Sequence, residues 1–172
     1  MSQPDTTAAP PPTVAEPQKE HQWLRRFLGE WTYKTNVPAA SGQPAHEATG
    51  AETFRGIGDL WVVGEGRGEM PAAGPMTSVM TLGYNPDTKR FVGTWIGSMM
   101  THLWIYDGEL DPSGQTLTLT SEGPSMADDG TMSTYQDVVE FKSDNHRVLT
   151  SRVRGKDGAW QSFMSMEYRR SA

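Results

Sequence analysis

The sequence predicts an all-β protein, a closed antiparallel up-and-down β-barrel of about ten strands with one short N-terminal helix. Turn signals rich in Gly, Pro, Asp and Asn recur roughly every 12 to 16 residues. The segments between them, such as residues 60–63 and 91–96, are rich in β-branched and aromatic residues. An apolar period typical of a helix occurs once, near the start. Because crossover helices are therefore lacking, consecutive strands are expected to pair as hairpins.

The helix is predicted from two pairs of apolar residues spaced four apart, Trp23 with Phe27 and Leu24 with Leu28. Gly29 follows the last of them and supplies a stop signal. A helix this short is unstable alone in water, so we expect its apolar stripe to rest on the rest of the fold.

The strands are expected, in chain order, at residues 30–37, 45–56, 60–68, 76–84, 89–97, 101–111, 115–122, 131–142, 146–155 and 159–169. Ten strands joined by short hairpins leave two exposed edges unless the sheet closes on itself. The alternative is a sandwich, which needs long crossings between its two sheets, and the sequence offers none. The pattern therefore favours a closed barrel.

Composition limits the class of protein and its partners. The 172 residues fit one domain, residues 19–172, preceded by a Pro- and Ala-rich segment, residues 1–18, that is expected to be disordered. A net charge of −6 argues against nucleic acid as a partner, and zero Cys excludes disulfides and thiolate metal sites. No secretory signal is visible, and no apolar run approaches the roughly 20 residues of a membrane helix, so no membrane partner and a cytoplasmic location are expected.

The start of the first strand carries a resemblance to a known family. A short helix that runs into Gly29-Glu30-Trp31 resembles the Gly-any-Trp motif of lipocalins and their calycin relatives. The resemblance implies that Trp31 lies at the closed end of the barrel and that an Arg late in the chain lies across its ring. Arg169 or Arg170 could take that role through a cation–π contact.

A wider set of segments is similar to the bacterial domain-of-unknown-function 1579 family. These segments are His21-Gln22-Trp23-Leu24, Gly29-Glu30-Trp31, Leu60-Trp61-Val62-Val63-Gly64-Glu65, Gly93-Thr94-Trp95 and Thr101-His102-Leu103-Trp104. The similarity covers roughly residues 19 to 170 and implies a lipocalin-like barrel without an agreed biochemical role. A looser similarity in strand count links the chain to nitrobindin-type haem barrels, but Thr32-Tyr33-Lys34 departs from their glycine-rich first strand.

Alternation along the strands suggests which side chains line the interior. An aromatic face that contains glycines is a good candidate for a cavity wall, since Gly leaves room for a ligand. Met adapts to irregular apolar shapes, and Trp offers a flat apolar wall with one donor. The predicted ligand-binding residues are Trp61, Glu65, Met80, Phe91, Trp95, His102, Trp104, Tyr135 and Met164.

Three functions from different classes are compatible with these residues. The leading one is a barrel that binds a small hydrophobic molecule without catalysis, a metal or a cofactor. The alternative is an enzyme that uses His102 with an interior acid or Tyr135, or a haem-binding barrel in which His102 is the axial ligand. The candidate acids are Glu65, Asp137 and Glu140, although residues 65–69 are more typical of an outward charged edge and Arg152 or Arg154 could pair with Asp137 across strands. A third alternative is an oligomerising scaffold with a filled barrel, for which a homodimer is the simplest partner arrangement.

Overall fold

The computed structural model describes residues 14–37, 46–70, 74–127 and 129–171. Residues 14–18 form neither helix nor strand. The rest of the predicted disordered tail lies outside the described residues, as does residue 45, the expected start of the second strand.

The described residues form one short helix followed by ten strands. The helix α1 is Lys19–Leu24, and a 3₁₀ turn at Arg25–Phe27 continues it. The strands are β1 Gly29–Val37, β2 His46–Ile57, β3 Trp61–Met70, β4 Gly74–Asn85, β5 Arg90–Gly97, β6 Trp104–Leu110, β7 Thr116–Pro124, β8 Met132–Ser143, β9 His146–Arg154 and β10 Trp160–Arg170.

The strands form a closed barrel in which each strand pairs with its sequence neighbours and β1 pairs with β10. All pairs are antiparallel, and Trp31 of β1 lies opposite Arg170 of β10. The prediction of a closed up-and-down barrel is therefore confirmed. Among the described residues, no helix is long and apolar enough to cross a membrane.

The closed end of the barrel is filled by an aromatic core on which the helix rests. Leu24, Phe27 and Trp31 are at most 1% exposed. The Phe27 ring lies 5.2 Å from the ring of Phe54 and 5.1 Å from that of Phe141, measured between centroids. The helix is thus held by tertiary packing of its apolar stripe, as its shortness requires.

Trp31 contacts both the 3₁₀ turn that precedes β1 and the end of β10. Its indole Nε1 donates a hydrogen bond to the carbonyl oxygen of Phe27 at 2.7 Å. The guanidinium carbon of Arg170 lies 4.3 Å from the Trp31 ring centroid. The expected arginine–tryptophan contact is confirmed, and Arg170 rather than Arg169 makes it.

The orientation of β3 corrects one expectation. Trp61 and Glu65 were expected to face inward, but both are exposed on the outer wall, while Gly64 and Gly66 face the interior. A Cβ atom on Gly64 would collide with the ring of Phe54. The alternating glycines of β3 therefore make room for interior side chains of the neighbouring strands, and the charged residues between them point to solvent.

Candidate ligand-binding site

A cavity of about 400 Å³ lies between the aromatic core and the opposite end of the barrel. All ten strands contribute to its wall, and Met99 and Met100 from the loop after β5 complete it. Both of these methionines are also partly exposed on the outer surface, so the cavity extends to that end of the barrel. This loop is also the reason why β6 begins at Trp104 and not at residue 101.

Methionine and aromatic side chains dominate the apolar wall. Among the described residues, six methionines line the cavity: Met76, Met80, Met99, Met100, Met164 and Met166. Trp95 and Trp104 face them from β5 and β6. Because thioether side chains adapt to varied shapes and indole rings are rigid, the wall combines flexible and fixed apolar surface.

A bulge in β10 adds a further ring to this wall. The pairing of β10 with β9 shifts register between Ser162 and Met164. As a result the neighbouring residues Phe163 and Met164 both line the cavity, although neighbours in a regular strand face opposite sides.

Five of the nine predicted ligand-binding residues line the cavity: Met80, Trp95, Trp104, Tyr135 and Met164. The structure places the other four elsewhere. Trp61 and Glu65 lie on the outer wall. Phe91 is buried in the closed-end core, with its ring 5.6 Å from that of Trp23. Phe91 does face inward as expected, but at a level of the barrel that is already packed.

His102 lies beside the cavity wall and does not line it. Its Nε2 is 3.0 Å from the carbonyl oxygen of Glu122, and its ring meets the Trp104 ring edge-on with centroids 4.9 Å apart. The Tyr135 hydroxyl donates to the carbonyl oxygen of Pro124 at 2.5 Å. The His102 imidazole and the Tyr135 hydroxyl are thus each within hydrogen-bond distance of a backbone carbonyl oxygen. Neither position favours the enzyme or haem alternative.

Asp137 is the centre of a polar cluster inside the barrel. One of its carboxylate oxygens accepts a hydrogen bond from the Tyr106 hydroxyl, and the other accepts one from the Ser151 hydroxyl, each at 2.5 Å. The expected partner Arg152 instead donates two hydrogen bonds to Gln136. Gln136 and Arg152 lie opposite each other on the outer face of β8 and β9, so Arg152 cannot reach the interior acid.

The surroundings of this cluster change its acid–base properties. Burial raises the pKa of Asp137, and the hydrogen bonds from Ser151 and Tyr106 only partly offset that effect. Burial, followed by the nearby charge of Asp137, raises the pKa of Tyr106 well above its ordinary value. The phenol therefore keeps its proton and acts as the donor to Asp137.

A buried ion pair lies closer to the aromatic core. The Arg147 guanidinium contacts the Glu52 carboxylate, and the two residues are 1% and 7% exposed. The guanidinium carbon of Arg147 lies 3.8 Å from the ring centroid of Tyr168 and 4.9 Å from that of Trp31. Both charged side chains also border the cavity. The pair thus forms a floor between the cavity and the core.

Glu52 and Arg147 were not among the interior residues expected from the sequence. A signal was available in the alternation pattern. Glu52 stands two residues before Phe54, and Arg147 stands two residues before Leu149, so each shares a face with a buried apolar residue. In the part of the chain that the structure describes, no group of three or more His, Asp or Glu side chains could hold a metal ion.

Comparison with known proteins supports the fold. A family model described as "Protein of unknown function (DUF1579)" matches residues 16–170. A search of the curated proteins finds no match.

Two solved structures are similar over most of the chain. Rv2717c from M. tuberculosis is 13% identical, with 88% of this chain and 96% of that chain covered at a TM-score of 0.61. The S-type phycobiliprotein lyase CPES from Guillardia theta is 11% identical, with 89% of this chain and 93% of that chain covered at a TM-score of 0.60. At these identities the likeness concerns the fold, which is that of the lipocalin-like barrels.

Proposed function

The chain belongs to the DUF1579 family, whose description assigns no function, and we propose from the cavity itself that the barrel binds one small, largely apolar molecule. The observation that carries this proposal is the interior cavity of about 400 Å³ with its wall of methionine and aromatic side chains. Pockets that hold small molecules in proteins typically range from roughly 300 to 1,000 Å³. The cavity falls within that range, near its lower end.

The arrangement of the wall supports a ligand that is apolar along most of its length. Leu149 and Val139 join the methionines and tryptophans around the cavity, and the charged side chains of its interior are Asp137 and the Glu52–Arg147 pair. A ligand that enters from the side of Met99 and Met100 would therefore leave water for an apolar environment, which is favourable in proportion to the area buried.

Ala48 offers a direct test because its small side chain lines the cavity from β2. An Ala48→Trp substitution places an indole in the cavity, whereas Ala51→Trp places the same ring on the exposed outer face of the same strand. We expect the neutral fluorescent probe N-phenyl-1-naphthylamine to bind the wild-type chain and Ala51→Trp equally. Binding to Ala48→Trp should be weaker by about tenfold or more, because the probe and the indole compete for the same volume.

The measurement is a fluorescence titration of the three proteins, with thermal unfolding as the check that each one is folded. If a folded Ala48→Trp bound the probe as tightly as Ala51→Trp, or if the wild-type chain bound none, interior binding would be ruled out for this class of ligand.

A further inference from the structure

The charged side chains around the cavity are unequally divided between acids and bases. Among the described residues, two carboxylates, those of Glu52 and Asp137, and one cation, that of Arg147, line its interior, and the exposed Glu69 adds a third carboxylate at the rim. No Lys or His of the described residues belongs to the lining. The wall therefore carries more negative than positive groups, which favours a ligand with positive charge.

Arg147 does not offer a free positive charge to a ligand. Its guanidinium is paired with Glu52 and lies against the ring of Tyr168. Its Nε has no hydrogen-bond partner among the described residues, and this nitrogen is buried. An anionic ligand would therefore meet a cation that is already neutralised.

Asp137, in contrast, has only neutral partners. Its two hydrogen bonds come from the hydroxyls of Tyr106 and Ser151, and none of the ion pairs among the described residues includes it. A carboxylate oxygen can accept more than one hydrogen bond, so each oxygen retains capacity for a further donor. An enclosed carboxylate without a cation is unfavourable, and a cationic group in the cavity would relieve that cost.

Aromatic rings lie next to Asp137 on the side of the cavity that faces Met99 and Met100. Tyr135 lies two residues along β8 on the same face, about 7 Å away by strand geometry. The Trp104 ring meets the Tyr135 ring edge-on, with centroids 5.0 Å apart. The faces of such rings attract cations, so a positive group finds favourable surroundings beside Asp137 and along the path to it.

We propose, building on the ligand-binding function proposed above, that the barrel selects apolar molecules that carry a protonated amine, and that the amine contacts the carboxylate of Asp137. The apolar body of the ligand lies against the methionines and tryptophans of the wall. Carboxylic acids with the same apolar body are disfavoured by the excess of acidic side chains.

Three probes with the same chain and different head groups test this selectivity: octylamine, 1-octanol and octanoate. Titration calorimetry on the full chain near pH 7 should show octylamine binding about tenfold more tightly than 1-octanol, since a hydrogen bond between charged groups is stronger than one between neutral groups. Octanoate should bind more weakly than 1-octanol.

Two variants test whether Asp137 is responsible for the preference for octylamine over 1-octanol. Asp137→Asn should bind octylamine and 1-octanol with similar affinity. Glu140→Gln removes an acid from the same strand, where the carboxylate contacts Lys142 on the outer face, and should keep the preference for the amine.

The outcomes separate this inference from the function on which it rests. If none of the three probes bound the wild-type chain, the proposed binding function would fail. If 1-octanol bound but octylamine bound no better, or octanoate bound best, only the inference about the amine would be overturned. This comparison of probes uses the wild-type chain alone, so it holds even if Asp137→Asn does not fold. A folded Asp137→Asn that kept the amine preference would exclude Asp137 as the contact.

Discussion

At the scale of single residues, the interior of this barrel is set apart by three charged side chains in a largely apolar space. Glu52 and Arg147 neutralise each other, whereas Asp137 is held by two hydroxyl groups. A buried acid with neutral partners costs stability when it is ionised. Such a cost is more easily explained by a ligand contact than by folding alone, which is why Asp137 is central to the proposed site.

The raised pKa of Asp137 should be detectable in the pH dependence of the free energy of unfolding. Burial raises its pKa in the folded chain above the ordinary value of 3.8. The folded state therefore holds a proton in a pH range where the unfolded chain has released it, and the free energy of unfolding falls as pH rises through that range. Tyr106 does not titrate there, because its pKa lies well above that of an ordinary tyrosine.

We expect the stability difference between Asp137→Asn and the wild-type chain to shift in favour of the variant as pH rises from about 4 towards 7, with a slope of at most about 1.4 kcal/mol per pH unit. Urea unfolding of both proteins across this range measures it. Parallel curves for Asp137→Asn and the wild-type chain would show that burial does not raise the pKa of this carboxyl.

The sequence could identify Asp137 as an interior candidate but could not identify its partners. Tyr106 lies on β6 and Ser151 on β9, and their meeting at Asp137 on β8 depends on how the closed barrel brings separate strands together. The pairing expected between Asp137 and Arg152 or Arg154 was wrong. Residues directly opposite each other on neighbouring strands point to the same side of the sheet, and Asp137, which points inward, lies opposite Ser151. Arg152 lies opposite Gln136, and both side chains point outward.

At the scale of elements, turn chemistry made the strands predictable. The boundaries of nine strands differ from expectation by at most two residues, since Gly, Pro and Asp fix the turns between the strands, and β6 begins three residues later than expected. Strand orientation was harder to predict, as β3 shows, because a shift of one residue exchanges the two faces. In that strand glycine rather than a large apolar residue marks the inner face, and hydrophobicity alone points to the wrong side.

The contact that joins the first strand to the last is also an element-scale feature. Arg170 lies over Trp31, and its guanidinium donates hydrogen bonds to the carbonyl oxygens of Leu28, Arg26 and Asp144. It thereby ties the end of β10 to the turn before β1 and to the hairpin between β8 and β9. Arg169, its neighbour, points outward and contacts Glu167.

Arg170→Ala should lower the free energy of unfolding by about 2 to 3 kcal/mol, because it removes a cation–π contact and several charged hydrogen bonds. Arg170→Lys should recover little of this loss, since an ammonium group cannot reproduce the planar set of donors. Arg169→Ala is the matched control and should change stability by no more than about 0.5 kcal/mol. Urea unfolding monitored by Trp fluorescence gives all three values, and equal losses for Arg169→Ala and Arg170→Ala would contradict the role assigned to Arg170.

At the scale of the whole molecule, the barrel is divided along its axis. The helix and the aromatic core fill the closed end, the Glu52–Arg147 pair forms a floor, and the cavity occupies the remainder. Closure of the sheet was predictable from ten hairpin-linked strands without crossovers. The position of the floor was not, since it depends on which interior side chains pack tightly and which leave volume, as the difference between Phe91 and Trp95 on one face of β5 shows.

A small apolar amine is expected to lie inside this barrel with its charged end against Asp137, and a crystal structure of the chain with octylamine is the test of that claim. We expect the alkyl chain between the methionines of β4 and β10, and the nitrogen within hydrogen-bond distance of the Asp137 carboxylate. Density for the amine only on the outer surface, or inside the barrel with its nitrogen turned away from Asp137, would contradict the claim.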